Sequence, residues 1–203
     1  MRIYPFIKRA IDILVSLSLL VILSPILAIS ALIVLFAMGR PILFCQLRPG
    51  LNGRLFKMYK FRTMREPKAS ENRMSSDAKR LTPIGSLLRK TSMDELPELF
   101  NVLKGDMSLI GPRPLLPEYL PLYSPVQSRR HEVRPGITGW AQVNGRNAVD
   151  WPERFAMDVW YVDNLSFRLD IKIIFKTVEC VFKSSGISAE GHATMPPFKG
   201  EEQ

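Results

Sequence analysis

The sequence predicts a mostly helical α+β protein. Residues 1–40 are predicted to form a re-entrant membrane segment of two helices joined at a break, and residues 41–203 are predicted to form a small globular domain with a β-hairpin and interfacial amphipathic helices. Three observations predict this architecture: an uncharged apolar run at residues 13–39, two β-rich segments around a turn-forming cluster soon afterwards, and amphipathic helical patterns in the later chain. The length of 203 residues fits one ordinary domain.

The composition indicates an anionic partner and excludes a disulfide framework. There are 28 Lys and Arg residues against 19 Asp and Glu residues, a net charge of +9. This excess favours binding of nucleic acid, nucleotide phosphate or lipid headgroups. The two cysteines, Cys45 and Cys180, have neither disulfide-scaffold nor metal-site spacing, so we expect a reducing cytosolic setting.

The uncharged run from Ile13 to Gly39 spans about 27 residues, long enough for membrane insertion and too long for the apolar region of a cleavable signal peptide. Ser24-Pro25 lies in its middle, where proline removes a backbone donor and breaks or kinks the helix. Each half then measures roughly 18 Å, too short for a hydrocarbon core of about 30 Å. Carbonyls freed at the break need partners, and Ser24 or a neighbouring polar side chain can supply one.

The flanks of this run are basic on both sides, with Lys8 and Arg9 before it and Arg40, Arg48 and Arg54 after it. By the positive-inside rule, both ends prefer the cytoplasm. This favours a re-entrant helical hairpin in one leaflet. The alternative is a single proline-kinked, tilted helix that spans the bilayer.

A β-hairpin is predicted next, with strands at Ile42–Cys45 and Leu55–Thr63 around the turn-forming residues 48–53. Lys60 and Arg62 are two residues apart, so they project from one face of the second strand. They are either candidate phosphate ligands or a solvated basic edge. The polar stretch Arg65–Arg80 reads as a loop.

A helix is predicted to begin close to Asp94 and to end at Gly105, because Leu96, Leu99, Phe100 and Leu103 share one helical face and Pro97 is tolerated only in a first turn. Asp94 and Glu95 then lie at the positive end of the helix dipole, where phosphate also binds. An acidic pair there is alternatively a simple helix cap.

Two loops are candidates for binding phosphate or nucleotide. Arg113 lies between two prolines in Gly111–Pro114, which pre-organises its guanidinium, although a structural turn explains this loop equally well. Residues 134–140 offer glycines and backbone amides, and we single out Pro135, Gly136 and Thr138 as a nucleotide loop.

Two further helices are predicted, at Trp151–Asn164, which carries Asp158, and at Asp170–Lys183. The second has an apolar stripe and a basic remainder. It lies either in the headgroup region of an anionic leaflet or with its apolar stripe against the core.

Four motifs in this order closely resemble the bacterial sugar transferase family, in particular its monotopic polyprenyl-phosphate phosphoglycosyl transferases. They are Lys60–Met64, Asp94–Pro97, Gly105–Pro114 and Arg134–Arg146. Two shorter stretches, Pro114–Leu120 and Glu190–His192, are most similar to the PglC-like branch, which acts on UDP-diacetylbacillosamine.

The resemblance implies a reaction between a UDP-sugar and polyprenyl phosphate. Asp94 would be the nucleophile on the β-phosphorus, carrying the phosphosugar covalently while UMP departs, with ping-pong kinetics. Mg²⁺ bound by Asp94 and phosphate oxygens would neutralise charge, and Glu95 would assist.

The resemblance also assigns the remaining candidates. Lys60, Arg89 and Arg113 match positions around the phosphates, Arg62 accompanies Lys60, and Asp158 matches another active-site acid. Ser24-Pro25 matches the break of the re-entrant helix. The protein would therefore act at the cytoplasmic face of the bacterial inner membrane, against an anionic leaflet, and supply downstream glycosyl transferases. One departure is Glu98, where glutamine is common in the family; it adds a negative charge near Asp94.

Two other classes of function remain open at this point. One is a membrane-anchored basic nucleic-acid-binding protein, although the cations are dispersed among acids and no DNA-reading motif is present, so we expect no nucleic-acid partner. The other is a non-catalytic membrane scaffold, which would keep its function when Asp94 and Glu95 are replaced.

Overall fold

The computed structural model describes residues 4–66, 80–145, 149–183 and 197–200. Within them, the strands are β1 (Leu43–Pro49), β2 (Leu55–Phe61), β3 (Ser108–Ile110) and β4 (Gly136–Thr138). The helices in the same ranges are α1 (Tyr4–Ile22), α2 (Ser24–Met38), α3 (Pro83–Lys90), α4 (Glu98–Lys104), α5 (Pro125–Ser128), α6 (Trp140–Asn144), α7 (Trp151–Asp163) and α8 (Phe167–Lys183). The predicted α+β, mostly helical class is confirmed.

Helices α1 and α2 form a bent pair whose axes differ by 63°. The break at Ser24-Pro25 is confirmed, and its cause is local. In a continuous helix the carbonyl of Val21 would accept from the nitrogen of residue 25, but Pro25 has no N–H. The hydroxyl of Ser24 donates to that carbonyl instead, at 2.8 Å. Among the described residues no single helix is long and apolar enough to cross a membrane, whereas this pair passes that test together.

Polar side chains fasten the start of α1 to the rest of the protein. Lys8 is buried and its Nζ lies 2.7 Å from Oδ2 of Asp170 on α8. Oδ1 of Asp12 accepts from the amide of Leu109 on β3 at 3.1 Å. Arg9 donates to the last carbonyls of α4. The first three turns of α1 therefore belong to the globular part, and its apolar remainder extends toward α2.

The predicted hairpin is confirmed, with different strand limits. β1 and β2 pair antiparallel, from Leu43 opposite Phe61 to Pro49 opposite Leu55. β1 extends four residues beyond its predicted end because pairing with β2 recruits residues 46–49. β2 ends at Phe61 rather than Thr63.

A second, parallel pair of short strands was not predicted. Ser108 of β3 lies opposite Gly136 of β4, and Ile110 lies opposite Thr138. A Cβ atom on Gly136 would lie 2.0 Å from the nitrogen of Gly111. The strands can approach this closely only because residue 136 is glycine.

Both late helices are confirmed, and they supply much of the core. Tyr161 on α7 and Ile173 on α8 are almost completely buried. The expected apolar stripe of α8 does not face this core, because Ile174, Phe175 and Val178 are 42%, 71% and 49% exposed. Leu169 and Ile173 form the core-facing side instead, so the middle of the stripe does not pack against this core.

Parts of several predicted features lie outside the described residues. These are most of the loop Arg65–Arg80, Arg146 of the last motif and the stretch Glu190–His192. Residue Phe198, to which the sequence gives no role, is buried against Tyr119, Phe155 and their neighbours.

Candidate active site

The acid pair lies in a 3-10 turn, Met93–Glu95, and not at the start of a helix as predicted. Helix α4 begins three residues later, at Glu98. Pro97 explains the difference, because an α-helix over this stretch would need its missing N–H to reach the carbonyl of Met93. That carbonyl instead accepts from the amide of Leu96 at 3.3 Å.

Asp94 is buried, and its carboxylate has no partner among the described residues. Its residue is 8% exposed, and within the described part of the chain its carboxylate has no hydrogen bond or ion pair. Burial raises the pKa of the Asp94 carboxyl to about 6, and the adjacent Glu95 carboxylate contributes to the rise. Lys60, Arg89 and Arg113 oppose this rise without cancelling it.

Glu95 differs from Asp94, because its carboxylate is paired with cations and its pKa is lowered. Its Oε1 lies 2.6 Å from Nζ of Lys60, and the guanidinium of Arg113 pairs with the same carboxylate. Burial opposes ionisation of Glu95, but Arg113 and Lys60 outweigh burial and lower the pKa of Glu95. Glu95 is therefore a fixed anion that aligns two cations.

Glu98 is a third acid of the site, visible in the sequence only as a departure from the family pattern. It is 1% exposed, and its Oε1 lies 3.1 Å from Nζ of Lys60, without hydrogen-bond geometry. Burial raises the pKa of Glu98 to about 7, and the attraction of Lys60 only partly offsets this effect. Lys60 thus lies between two acids with opposite shifts, since the pKa of Glu95 is lowered and that of Glu98 is raised to about 7.

The side chains of Lys60 and Arg62 contact different partners, contrary to the expectation that they project from one face of β2. Lys60 is still within β2 and points to the acids. β2 ends at Phe61, so the alternation of side chains stops there. The buried Arg62 donates to carbonyls at the end of α2 and just beyond, those of Met38, Gly39 and Arg40. Arg62 therefore serves the α2 C-terminus and does not join the acid cluster.

Arg89 and Arg113 both lie at the site. Arg89 is in the last turn of α3, and its Nε donates to Oγ1 of Thr63 at 3.1 Å. Both arginines line a cavity of about 630 Å³ that also contacts Ser92 and Glu95. Asp94 is not itself on the cavity wall, but it lies in the chain between two residues that are.

The cavity has a cationic end and a long apolar wall. Arg130 and Arg154 contribute further guanidinium groups beside Asp158. The apolar wall includes Val15 and Leu19 on α1, Leu23 at the break that follows, and Ile174 and Val178 on α8. Such a cavity suits a ligand with both phosphate and hydrocarbon character.

Asp158 is not a free acid. It is 2% exposed on α7, and its Oδ2 accepts from Nε and Nη2 of Arg130 at 3.0 and 2.7 Å. Arg130 was not singled out from the sequence, where adjacent arginines at 129 and 130 look alike. Only the fold distinguishes the exposed Arg129 from the buried Arg130.

The three residues of the predicted nucleotide loop have different roles. The carbonyl of Pro135 accepts from the amide of Ser108 at 2.8 Å, and Gly136 permits the close β3–β4 pairing. Only Thr138 lines the cavity, where its hydroxyl lies 2.8 Å from that of Thr177.

Comparison with known proteins agrees with these features. A family model described as bacterial sugar transferase matches residues 3–184. The chain is 53% identical over 193 residues to the uncharacterized sugar transferase EpsL of Bacillus subtilis, covering 95% of this chain and 96% of that relative.

Several relatives have names that state a reaction, and two phosphotransferases are examples. Undecaprenyl-phosphate glucose phosphotransferase of Komagataeibacter xylinus is 42% identical over 85% of this chain and 35% of its own. Undecaprenyl-phosphate galactose phosphotransferase of Salmonella typhimurium is 40% identical over 89% of this chain and 41% of its own. This chain therefore spans less than half the length of either of them. Since the family model extends over nearly all of the sequence and the Bacillus relative is matched almost from end to end, the chain belongs to the bacterial sugar transferase family.

Proposed function

We propose that this protein is a polyprenyl-phosphate phosphoglycosyl transferase. It moves a sugar-1-phosphate from a UDP-sugar to polyprenyl phosphate, with undecaprenyl phosphate as the expected acceptor, and releases UMP. The observation that carries this proposal is the contrast between unpaired, buried Asp94 and fixed Glu95 beside three cations. The names of the two phosphotransferase relatives support the same class of reaction.

Asp94 is the nucleophile in this proposal. One of its carboxylate oxygens attacks the β-phosphorus of the UDP-sugar and forms an Asp94–O–P bond. The bond from that phosphorus to the bridging oxygen breaks, and UMP leaves with the oxygen and its electron pair. An oxygen of the polyprenyl phosphate then attacks the same phosphorus, displaces the Asp94 carboxylate and yields a polyprenyl-diphosphate sugar. Because donor and acceptor react in separate steps, the kinetics are ping-pong.

The charges around Asp94 support both steps. With a pKa of about 6, Asp94 is mostly ionised at neutral pH and so is available as a nucleophile. Lys60, Arg89 and Arg113 offset the repulsion between its carboxylate and an incoming diphosphate. The lowered pKa of Glu95 makes it a poor base. Its part is to orient Lys60 and Arg113.

The donor set fits Mg²⁺ as an ion shared with the substrate. No group of three His, Cys, Asp or Glu side chains within the described ranges is arranged as a metal cage. Mg²⁺ in phosphate-processing sites usually takes one or two carboxylates together with substrate phosphates. Asp94 has the unoccupied lone pairs to hold the ion, since its carboxylate has no partner in the described part of the chain. When bound, Mg²⁺ would neutralise charge on the diphosphate oxygens.

The placement at the membrane is part of the proposal. The start of α1 is tied to the globular part through Lys8 and Asp170, and the end of α2 is tied to it through Arg62. Both ends of the bent pair therefore return to the same body, which supports a monotopic, re-entrant hairpin on the cytoplasmic face of the bacterial inner membrane. The exposed side of α8, with Phe175 at its centre, faces the headgroups of an anionic leaflet.

The sugar is proposed to be diacetylbacillosamine or a related acetamido sugar. Support comes from the resemblance of Pro114–Leu120 to the corresponding stretch of the PglC-like branch. The lipid-linked product is the expected substrate of downstream glycosyl transferases.

The decisive experiment measures nucleotide release and the covalent adduct together. Purified protein in nanodiscs is given Mg²⁺, undecaprenyl phosphate and a panel of UDP-sugars. UMP release that is abolished by a chelator and by Asp94→Asn, but kept by the surface variant Asp163→Asn, is the expected result. Mass spectrometry without acceptor should find phosphosugar on Asp94. Release of UDP, or turnover by Asp94→Asn, contradicts the proposal.

A further inference from the structure

Arg130 connects the cations of the acid cluster to helix α7. It lies in the 3-10 turn Arg129–Glu132 and is 2% exposed. Besides its two bonds to Asp158, its Nη2 donates to the backbone carbonyl of Arg113 at 2.7 Å. One buried guanidinium therefore contacts a carboxylate of α7 and the backbone of a residue that pairs with Glu95.

The loop that carries Arg113 depends on such contacts because residues 111–116 contain no helix or strand. The carbonyl of Pro112 accepts from the amide of Gly136 at 3.0 Å, and the next carbonyl, that of Arg113, accepts from Arg130. Two consecutive backbone carbonyls are thus fixed from outside the loop. The position of the Arg113 guanidinium relative to Glu95 follows from where its backbone is held.

The chemistry of the Arg130–Asp158 pair indicates a role beyond stabilising the fold. Burying an arginine and an aspartate costs desolvation free energy that their attraction barely offsets, and a well-packed apolar pair stabilises a fold as well or better. Arg130 also lies over the rings of Tyr123 and Phe155, so the space is already lined for apolar packing. A planar guanidinium adds several donors in fixed directions, which can serve a carboxylate and a carbonyl at once.

We propose that Arg130, neutralised by Asp158, is a positioning residue for Arg113. It fixes the backbone of Arg113 so that the Arg113 guanidinium can pair with Glu95 and meet the donor phosphates. Asp158 acts through Arg130, because its Oδ2 accepts from two nitrogens of that guanidinium. The step that involves donor phosphates rests on the proposed function, whereas the fixing of the loop does not.

A double-mutant cycle tests the coupling. Arg130→Lys keeps the charge, but one ammonium cannot replace the whole fork, so kcat/KM for UMP release should fall about 10- to 100-fold through misplacement of Arg113. The matched control is Arg129→Lys, which alters an exposed ion pair to the same helix and should leave kcat/KM unchanged. The variant carrying both Arg113→Lys and Arg130→Lys should be no worse than Arg113→Lys alone, because the two changes act through one group.

The loss should also appear in KM for the UDP-sugar, whereas a smaller folded fraction lowers kcat alone. Losses that multiply in the double variant, or full activity in Arg130→Lys, overturn the proposal. If Arg130→Lys does not fold, Asp158→Asn takes its place in the cycle with the same expected result.

Amide hydrogen exchange provides a readout independent of activity. Peptides covering residues 111–116 should exchange faster in Arg130→Lys than in the wild type, while Arg129→Lys should match the wild type. Unchanged exchange in Arg130→Lys overturns the proposal even if activity falls. Wild-type enzyme that releases no UMP from any donor contradicts the proposed function instead, and the exchange result still decides the role of Arg130.

Discussion

At the scale of single residues, neighbouring acids in one short turn have opposite electrostatics. Asp94 has no partner among the described residues and a raised pKa, whereas Glu95 pairs with Lys60 and Arg113 and has a lowered one. A nucleophile needs a free lone pair, while a group that aligns cations needs to be held. The turn suits both proposed roles, because Glu95 pairs with Lys60 and Arg113 while Asp94 keeps its lone pairs.

Replacing Asp94 by asparagine should abolish UMP release and stabilise the protein. The pKa of Asp94 is raised from about 4 to about 6, so its ionisation disfavours the folded state as the pH rises through that interval. At pH 7 and above, Asp94→Asn should therefore gain about 1 to 3 kcal/mol in the free energy of unfolding. Denaturant titrations at several pH values measure this gain, which should vanish below about pH 4.

Glu95→Gln is the matched contrast and should have the opposite sign. The folded-state pKa of Glu95 is lowered, so its contribution is present above the unfolded pKa and is lost as the pH falls. Glu95→Gln should destabilise the protein at pH 7, because the partly buried Lys60 and Arg113 both lose their ion pair with this carboxylate. Equal changes in the free energy of unfolding for Asp94→Asn and Glu95→Gln would contradict the opposite pKa shifts assigned to these two acids.

Ionisation of Glu98 should lower the free energy of unfolding as the pH rises. Its pKa is raised to about 7 by burial, so the wild type should lose stability relative to Glu98→Gln between about pH 4.5 and 7, with a constant difference above. The variant should keep UMP release, since Lys60 still pairs with Glu95. Denaturant titrations across this range measure the difference. If the free energy of unfolding of the two proteins changed in parallel with pH, Glu98 would not be titrating in this range.

At the scale of elements, the end of β2 decides the role of Arg62. Because the strand stops at Phe61, Arg62 reaches the C-terminus of α2, where a cation is favoured by the helix dipole. This contact joins the bent helix pair to the β1–β2 hairpin. Arg62 is therefore assigned to the helix end and Lys60 to the acids.

Arg62→Gln should lower the free energy of unfolding by about 2 to 3 kcal/mol, because a charged donor to several carbonyls is lost. KM for the UDP-sugar should stay unchanged in the folded fraction. Lys60→Gln serves as the comparison and should change KM or kcat directly. A raised KM in Arg62→Gln would return that residue to the substrate site.

At the scale of the whole molecule, the bent helix pair and the globular part form one body. The start of α1 contacts α4, α8 and β3, and α2 packs its buried Val34 against Phe61 and Leu88. The proposed re-entrant hairpin would bring both ends of the apolar run to one side of the membrane, in agreement with these contacts. A helix crossing the bilayer would separate them by about 30 Å.

Labelling of single cysteines distinguishes the two arrangements. In a background with Cys180→Ser, a variant with Phe6→Cys and Cys45→Ser is compared with one that keeps only Cys45. Positions 6 and 45 are exposed. Both should react with a membrane-impermeant maleimide in inverted inner-membrane vesicles and neither in intact spheroplasts. Reaction of position 6 from the periplasmic side alone would show a spanning helix.

Local rules were sufficient for several features. The break at Ser24-Pro25, the β1–β2 hairpin and helix α7 follow from proline chemistry, turn residues and hydrophobic period, all of which act within a few residues. The acid pair was also identified from the sequence. Its conformation was not, because a proline at position 97 is compatible both with the first turn of a helix and with a 3-10 turn just before one.

By itself, the sequence determined where the chain is apolar, where it breaks and which residues carry charge. Only the tertiary structure decided which charges meet: Lys60 with Glu95 across 35 positions and Arg130 with Asp158 across 28. It also decided that Asp94 has no such partner in the described chain. The physical reason is that desolvation and ion pairing depend on which distant elements pack together, and no local pattern encodes that.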